Sequence, residues 1–186
     1  MAPRELPRVR PLFGAEEIAA RIEGLAGEIA AELPRDVLVV IILKGGFVFA
    51  ADLIRAFHRA GMRPQIDFIT LASYGEGAES SGQVAIKRGL GDDVHGRDVL
   101  LVDDILETGR TVAAARRLLL ERGARSVKLC VLLDKPGKRK GASEADFCGF
   151  TVPDRFVVGY GLDYAHFFRD LPYIGTIEEG TGNHRG

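Results

Sequence analysis

The stretch Val99-Leu100-Leu101-Val102-Asp103-Asp104-Ile105-Leu106-Glu107-Thr108-Gly109-Arg110-Thr111-Val112 runs four apolar residues straight into two adjacent carboxylates. The apolar run reads as a buried strand, and ligands of open α/β sheets sit outside the carboxyl ends of the strands, where Asp103 and Asp104 are expected. Thr108-Gly109-Arg110-Thr111 then starts a helix, offering unpaired backbone N–H groups, two hydroxyls and a glycine that lets the main chain come close, all suited to a phosphate. A sugar phosphate reconciles an anion with two acids. Its vicinal hydroxyls donate to the carboxylates, or Mg²⁺ is held there through water, while the helix start takes the phosphate. An Asp-Asp pair by itself serves equally well as the cap of a βα turn.

The rest of the chain supplies elements that would position this stretch. Ile18, Ile22, Leu25, Ile29 and Leu33 recur at helical spacing, Pro34 closes the segment, and Val37 to Leu43 is a β-branched run with no polar face. After Lys44-Gly45-Gly46, the spacing of Phe49, Leu53, Ile54 and Phe57 predicts a helix ending near Gly61, followed by a strand around Ile66 to Leu71. SYGEGAESSGQ is too polar and Gly/Ser-rich to pack and reads as a mobile loop joining two strands, with Val84 to Lys87 resuming a short β pattern. Beyond the opening stretch, Val112, Ala115 and Leu119 share a helical stripe opposite Arg110, Arg117 and Glu121, and Val127 to Leu133 is another wholly apolar strand. Strands apolar on both faces need helices on each side, so the expected fold class is α/β, a doubly wound parallel sheet.

Composition narrows the setting. With 186 residues, 46% of them hydrophobic, the chain can bury one substantial core, and it reads as a single domain over 1–186. Its 25 basic and 26 acidic side chains leave a formal charge of -1, which gives no global attraction for nucleic acid or an anionic membrane. Two cysteines, Cys130 in an apolar run and Cys148 between aromatics, fit reduced core thiols rather than a disulfide or metal framework. No run is long enough to span a bilayer and no apolar segment follows the basic N-terminus, so the expectation is a cytoplasmic protein.

As a whole the opening stretch resembles the ribose-phosphate signature of type I phosphoribosyltransferases: a hydrophobic strand, two acids, an apolar pair, then X-Thr-Gly-X-Thr. The resemblance implies that the loop embraces 5-phosphoribosyl 1-pyrophosphate (PRPP), with Asp103 and Asp104 on the ribose hydroxyls and as ligands of Mg²⁺. It also implies that fold, a parallel core with a small hood built from N- and C-terminal segments. Leu43-Lys44-Gly45-Gly46 looks like the pyrophosphate loop of the hypoxanthine-guanine phosphoribosyltransferases, where a non-proline cis peptide precedes the first glycine; carried over, that bond is Lys44-Gly45. Ser73-Tyr74-Gly75 looks like the flap that closes over the reacting centre. A flap is needed because the sugar passes through an oxocarbenium-like state that stray water would intercept.

The C-terminal block is similar almost residue for residue to the 6-oxopurine enzymes: Asp146 to Phe150, Pro153 to Tyr164, and Phe168-Arg169-Asp170-Leu171-Pro172. By that resemblance Phe156 stacks on the purine, Val157 offers backbone groups to its edge, Asp163 holds a second Mg²⁺ and Arg169 contacts pyrophosphate. Lys135, in Leu133-Asp134-Lys135-Pro136, bears on base choice: an ammonium has donors only, so it pairs with a 6-oxo group and opposes the 6-amino donors of adenine. Glu107 departs from the pattern, since the purine enzymes most often have Asp there as general base for the N7 proton. Glu keeps the carboxylate and adds a methylene.

The expected activity is therefore transfer of the phosphoribosyl group from PRPP to a 6-oxopurine, dependent on Mg²⁺, in a homodimer or homotetramer without nucleic-acid or membrane partners. A regulator that keeps the fold to sense PRPP or nucleotides while binding RNA or DNA lacks its mark here, a broad basic face. A xanthine-preferring transferase stays open, because the groups facing purine C2 are expected to be backbone.

Overall fold

The computed structural model describes residues 6–73, 84–88, 91, 93–139 and 144–178. Leu38–Leu43 (LVVIIL) forms strand β2, which follows β1 (Val9–Phe13) and helix α1 (Ala15–Glu32). The chain continues through α2 (Phe47–Arg59), β3 (Gln65–Ser73), β4 (Val84–Arg88), β5 (Asp98–Leu106), α3 (Arg110–Glu121) and β6 (Ser126–Asp134). A single 3₁₀ turn over Pro136–Lys138 leads to β7 (Phe147–Thr151), β8 (Val157–Val158) and β9 (Ile174–Ile177).

Six strands form one sheet in the order β4-β3-β2-β5-β6-β7, all parallel except the edge strand β4, which pairs antiparallel with β3. Period-two alternation divides its side chains between two cores. Val39, Ile41, Leu100, Val102, Cys130 and Leu132 face α1 and α2, whereas Leu38, Val40, Val99, Leu101, Leu129 and Val131 face the Val112, Ala115 and Leu119 stripe of α3. Burial on both faces explains why these strands carry no polar alternation.

From β2 the chain steps outward to β3, then returns to the other side of β2 to lay down β5 and continue to β6 and β7. The reversal falls between β2 and β5. At such a switch point the two connections leave in opposite directions and open a crevice beyond the carboxyl ends of the strands. A second sheet, β1-β9-β8, is antiparallel and joins N- and C-terminal segments. It is tied to the main sheet by Phe13 stacked on Phe150 with ring centroids 4.2 Å apart.

Two expectations need correction. The cis peptide bond is Leu43-Lys44 rather than Lys44-Gly45. Leu43, opposite Thr70, is the last residue of β2 in register with β3, so the chain leaves the ladder at the bond that follows it. The aspartates do not lie beyond their strand either: β5 runs on to Leu106, with Asp103 opposite Val131 and Leu106 opposite Asp134. The longer neighbour β6 supplies ladder partners past the acids.

Candidate active site

Two adjoining cavities open at the switch point. The smaller, about 280 Å³, lies over the start of α3 and is lined by Lys44, Gly45, Asp103, Asp104, Glu107, Thr108, Gly109 and Thr111 among others. Gly109 is the residue before α3 and has φ of +75°, a left-handed conformation natural to glycine that turns the chain from strand into helix. No side chain caps this helix, and Arg110 N–H reaches Thr108 Oγ1 only at 3.5 Å, so its first amides are available to an anion. Arg110 is exposed and lines neither cavity.

Asp103 is buried, with one oxygen accepting the Asp104 N–H at 3.0 Å, and Asp104 accepts the Ile105 N–H at 2.9 Å. Burial pushes the Asp103 carboxyl well above the usual carboxylate range, and the neighbouring Asp104 charge adds to the shift. Burial raises Asp104 too, opposed in part by main-chain hydrogen bonds and by the Arg169 charge. Such a pair favours whatever brings hydroxyl donors or a cation. Gly45 lies directly over it: a Cβ there would stand 2.6 Å from Asp104 Cγ, so any larger residue would push the Asp104 carboxylate aside.

The larger cavity, about 780 Å³, shares Leu43, Lys44, Gly45, Asp104, Ile105 and Glu107 with the smaller and extends to Lys135, Asp154, Phe156, Val157, Asp163 and Arg169. Phe156 is 57% exposed and meets Tyr164 edge-on, with centroids 5.8 Å apart, leaving a ring face open to stacking. Val157 sits in β8, the edge strand of its sheet. The adjacent Phe156 carbonyl accepts from Ile177 N–H at 3.2 Å, so by antiparallel alternation the N–H and C=O of Val157 point away from β9.

Lys135 follows β6 and is only 5% exposed. Its ammonium lies 3.1 Å from Glu107 Oε1 and 3.0 Å from Asp154 Oδ1, while its backbone N–H donates to Leu106 C=O at 2.9 Å. A buried ammonium costs several kcal/mol unless paired, and two carboxylates offset that cost here. Arg169 donates to the Gly161 carbonyl at 2.6 Å and stands 2.7 Å from Asp163 Oδ1, whose other oxygen accepts the His166 N–H at 2.8 Å. Gly161, at φ of +99°, faces the Lys44-Gly45 loop: an added Cβ would be 2.5 Å from Gly45 O.

The geometry thus gathers Lys44, Gly45, Asp103, Asp104, Glu107, Thr108, Gly109, Thr111, Lys135, Phe156, Val157, Asp163 and Arg169 around one crevice. Ser73 ends β3 opposite Val84, and Tyr74 lies outside the described residues. Sequence reasoning passed over Asp154, which is two residues before Phe156 within a block already singled out, and Gly161, which is marked only by standing two residues after Gly159.

Residues 13–165 match the family model described as phosphoribosyl transferase domain. The chain is 46% identical over 168 residues to the bifunctional protein TilS/HprT of Listeria innocua, a match covering 90% of this chain and 26% of that longer protein. It is 42% identical over 174 residues to the hypoxanthine-guanine phosphoribosyltransferase of Aquifex aeolicus, covering 92% of this chain and 96% of that one. The crystal structure of a hypoxanthine phosphoribosyltransferase from Staphylococcus aureus superimposes with a TM-score of 0.84 at 40% identity, covering 91% of each chain.

Proposed function

This chain belongs to the hypoxanthine-guanine phosphoribosyltransferase family, and from that premise we propose that it joins hypoxanthine or guanine to the phosphoribosyl group of PRPP in purine salvage. The products are the nucleoside 5′-monophosphate, IMP or GMP, and pyrophosphate. The observation that carries this reading is the junction of the two cavities, where Gly45, Asp104 and Glu107 border both. A sugar held over the aspartates, with its phosphate at the start of α3, brings its anomeric carbon to that junction.

In this reading Thr108, Gly109, Arg110 and Thr111 present the amides and hydroxyls that take the 5′-phosphate, and Asp103 and Asp104 accept from the ribose diol. Lys44, Gly45 and Arg169 receive the pyrophosphate. Phe156 stacks on the purine, the outward backbone groups of Val157 meet its edge, and Lys135 donates to its 6-oxo group. As purine N9 forms a bond to C1′, the C1′–O bond to pyrophosphate breaks, and Glu107 takes the proton from N7. The role of excluding water falls to Ser73 and Tyr74 in this reading.

Asp103 and Asp104 would hold one Mg²⁺ and Asp163 a second. The donor set fits: Mg²⁺ is commonly held by one or two carboxylates together with substrate phosphates and waters, and burial leaves the Asp103-Asp104 pair in need of positive charge. Among the described residues no three His, Cys, Asp or Glu side chains converge. The chemistry a bound Mg²⁺ would supply there is neutralisation of charge on pyrophosphate.

The same reading includes a homodimer or homotetramer in the cytoplasm. The free thiols Cys130 and Cys148 support a reducing compartment. Among the described residues no helix is long and apolar enough to cross a membrane.

The test supplies PRPP and Mg²⁺ with hypoxanthine, guanine, xanthine or adenine in parallel and follows pyrophosphate release. Turnover is expected with hypoxanthine or guanine, lost on chelation of Mg²⁺, and negligible with adenine. Adenine turnover above the oxopurines, or no release with any base, would sink the reading.

A further inference from the structure

We propose that Asp154 is a positioning residue that aims the Lys135 ammonium at the purine, an inference that rests on the function proposed above. An ammonium on a four-carbon stem has three donors in tetrahedral array and turns freely about a single contact. Glu107, from the end of β5, fixes one donor direction at 3.1 Å, which leaves rotation about that axis. Asp154, from the connection between β7 and β8, fixes a second at 3.0 Å. Two pinned donors set the direction of the third, and Lys135 lines the larger cavity together with Phe156 and Val157.

The placement of Asp154 in the chain matters as much as its charge. It stands two residues before Phe156 and three before Val157, so the ammonium is referenced to the same short segment that presents the stacking ring and the edge-reading backbone. Asp154 itself is 47% exposed on its side chain, against 7% for Lys135. It can therefore be replaced by Asn with little loss of buried packing, and the neutral amide, a weaker acceptor that also carries donors of its own, loosens the contact that pins the ammonium.

Steady-state kinetics of Asp154→Asn, alone and combined with Lys135→Met, test this in the intact chain. Asp154→Asn should raise KM for hypoxanthine about tenfold, the scale of one charge-assisted hydrogen bond, while KM for PRPP stays within about twofold. On the Lys135→Met background the same change should leave the hypoxanthine KM unaltered, because Asp154 acts through the ammonium. An unchanged hypoxanthine KM in the single variant, a parallel rise in both KM values, or an additional rise on the Lys135→Met background would each overturn the proposal. Wild-type turnover separates the two ideas: an inactive wild type removes the proposed function and this inference with it, whereas an active wild type with an indifferent Asn variant removes only the role of Asp154.

Discussion

Lys135 Nζ stands 3.1 Å from Glu107 Oε1, although the two residues are 28 positions apart in the chain. The contact exists because β5 and β6 are parallel neighbours in register, Leu106 opposite Asp134, so that both strands deliver their next residue to the same end of the sheet. One carboxylate thereby serves as counter-ion to a buried ammonium and stands ready at the cavity junction.

Glu107→Gln should lower turnover by at least about tenfold, because an amide cannot take the N7 proton, while PRPP affinity changes little. Lys135 keeps Asp154 as a partner, so the variant should fold. Single-turnover rates with a parallel PRPP titration check this; near-normal turnover would exclude Glu107 as the base.

Lys135→Gln should narrow base discrimination. Gln carries an acceptor as well as donors, so it no longer opposes the exocyclic amine of adenine. The ratio of kcat/KM for hypoxanthine over adenine is expected to fall by roughly tenfold to a hundredfold, the scale of the about 1–3 kcal/mol that an unsatisfied buried polar group costs. Competition assays measure the ratio directly, and an unaltered ratio would place base selection elsewhere.

Two glycines should fail in different ways. At Gly45 an added methyl meets the Asp104 carboxylate, which can rotate away, so Gly45→Ala should melt near wild type yet raise KM for PRPP about tenfold or more. At Gly161 the methyl meets backbone, Gly45 O, and the position requires φ of +99°, so Gly161→Ala should lose about 2 kcal/mol of stability. Thermal melts paired with PRPP kinetics separate the cases. Equal melting temperatures for the two variants would contradict the distinction.

Asp98, at the start of β5, accepts from Arg125 Nε at 2.9 Å and Ser126 Oγ at 2.7 Å, and these bonds, Arg125 first, pull its carboxyl down to about 2. A folded-state value below the ordinary 3.8 means that its stabilising effect is complete above that pH and is lost as pH falls toward 2. Asp98→Asn should therefore melt a few degrees lower than wild type at neutral pH, with the gap closing progressively below about pH 4. Calorimetry across that range checks the sign; a gap that widens on acidification would contradict it.

Much of the candidate site was legible because its parts are local. Asp103 to Thr111 spans a strand end, a turn and a helix start, and each is specified by near neighbours: apolar run, glycine, periodic stripe. The corrections fall where a neighbouring strand decides. Leu43 remains in the ladder because β3 offers Thr70, and β5 continues past its acids because β6 offers Leu133 and Asp134. Nothing in residues 38–45 or 98–106 alone states where those partners end.

Side-chain periodicity and turn chemistry act over a few residues, so the order of helices and apolar strands, the phosphate-suited helix start and the acidic pair follow from the chain itself. Strand order does not, since it is chosen by the joint burial of every element. That choice put β2 beside β5 and so laid Gly45 against Asp104. It also set β6 between β5 and β7 and so closed two carboxylates, Glu107 after β5 and Asp154 after β7, on the ammonium of Lys135.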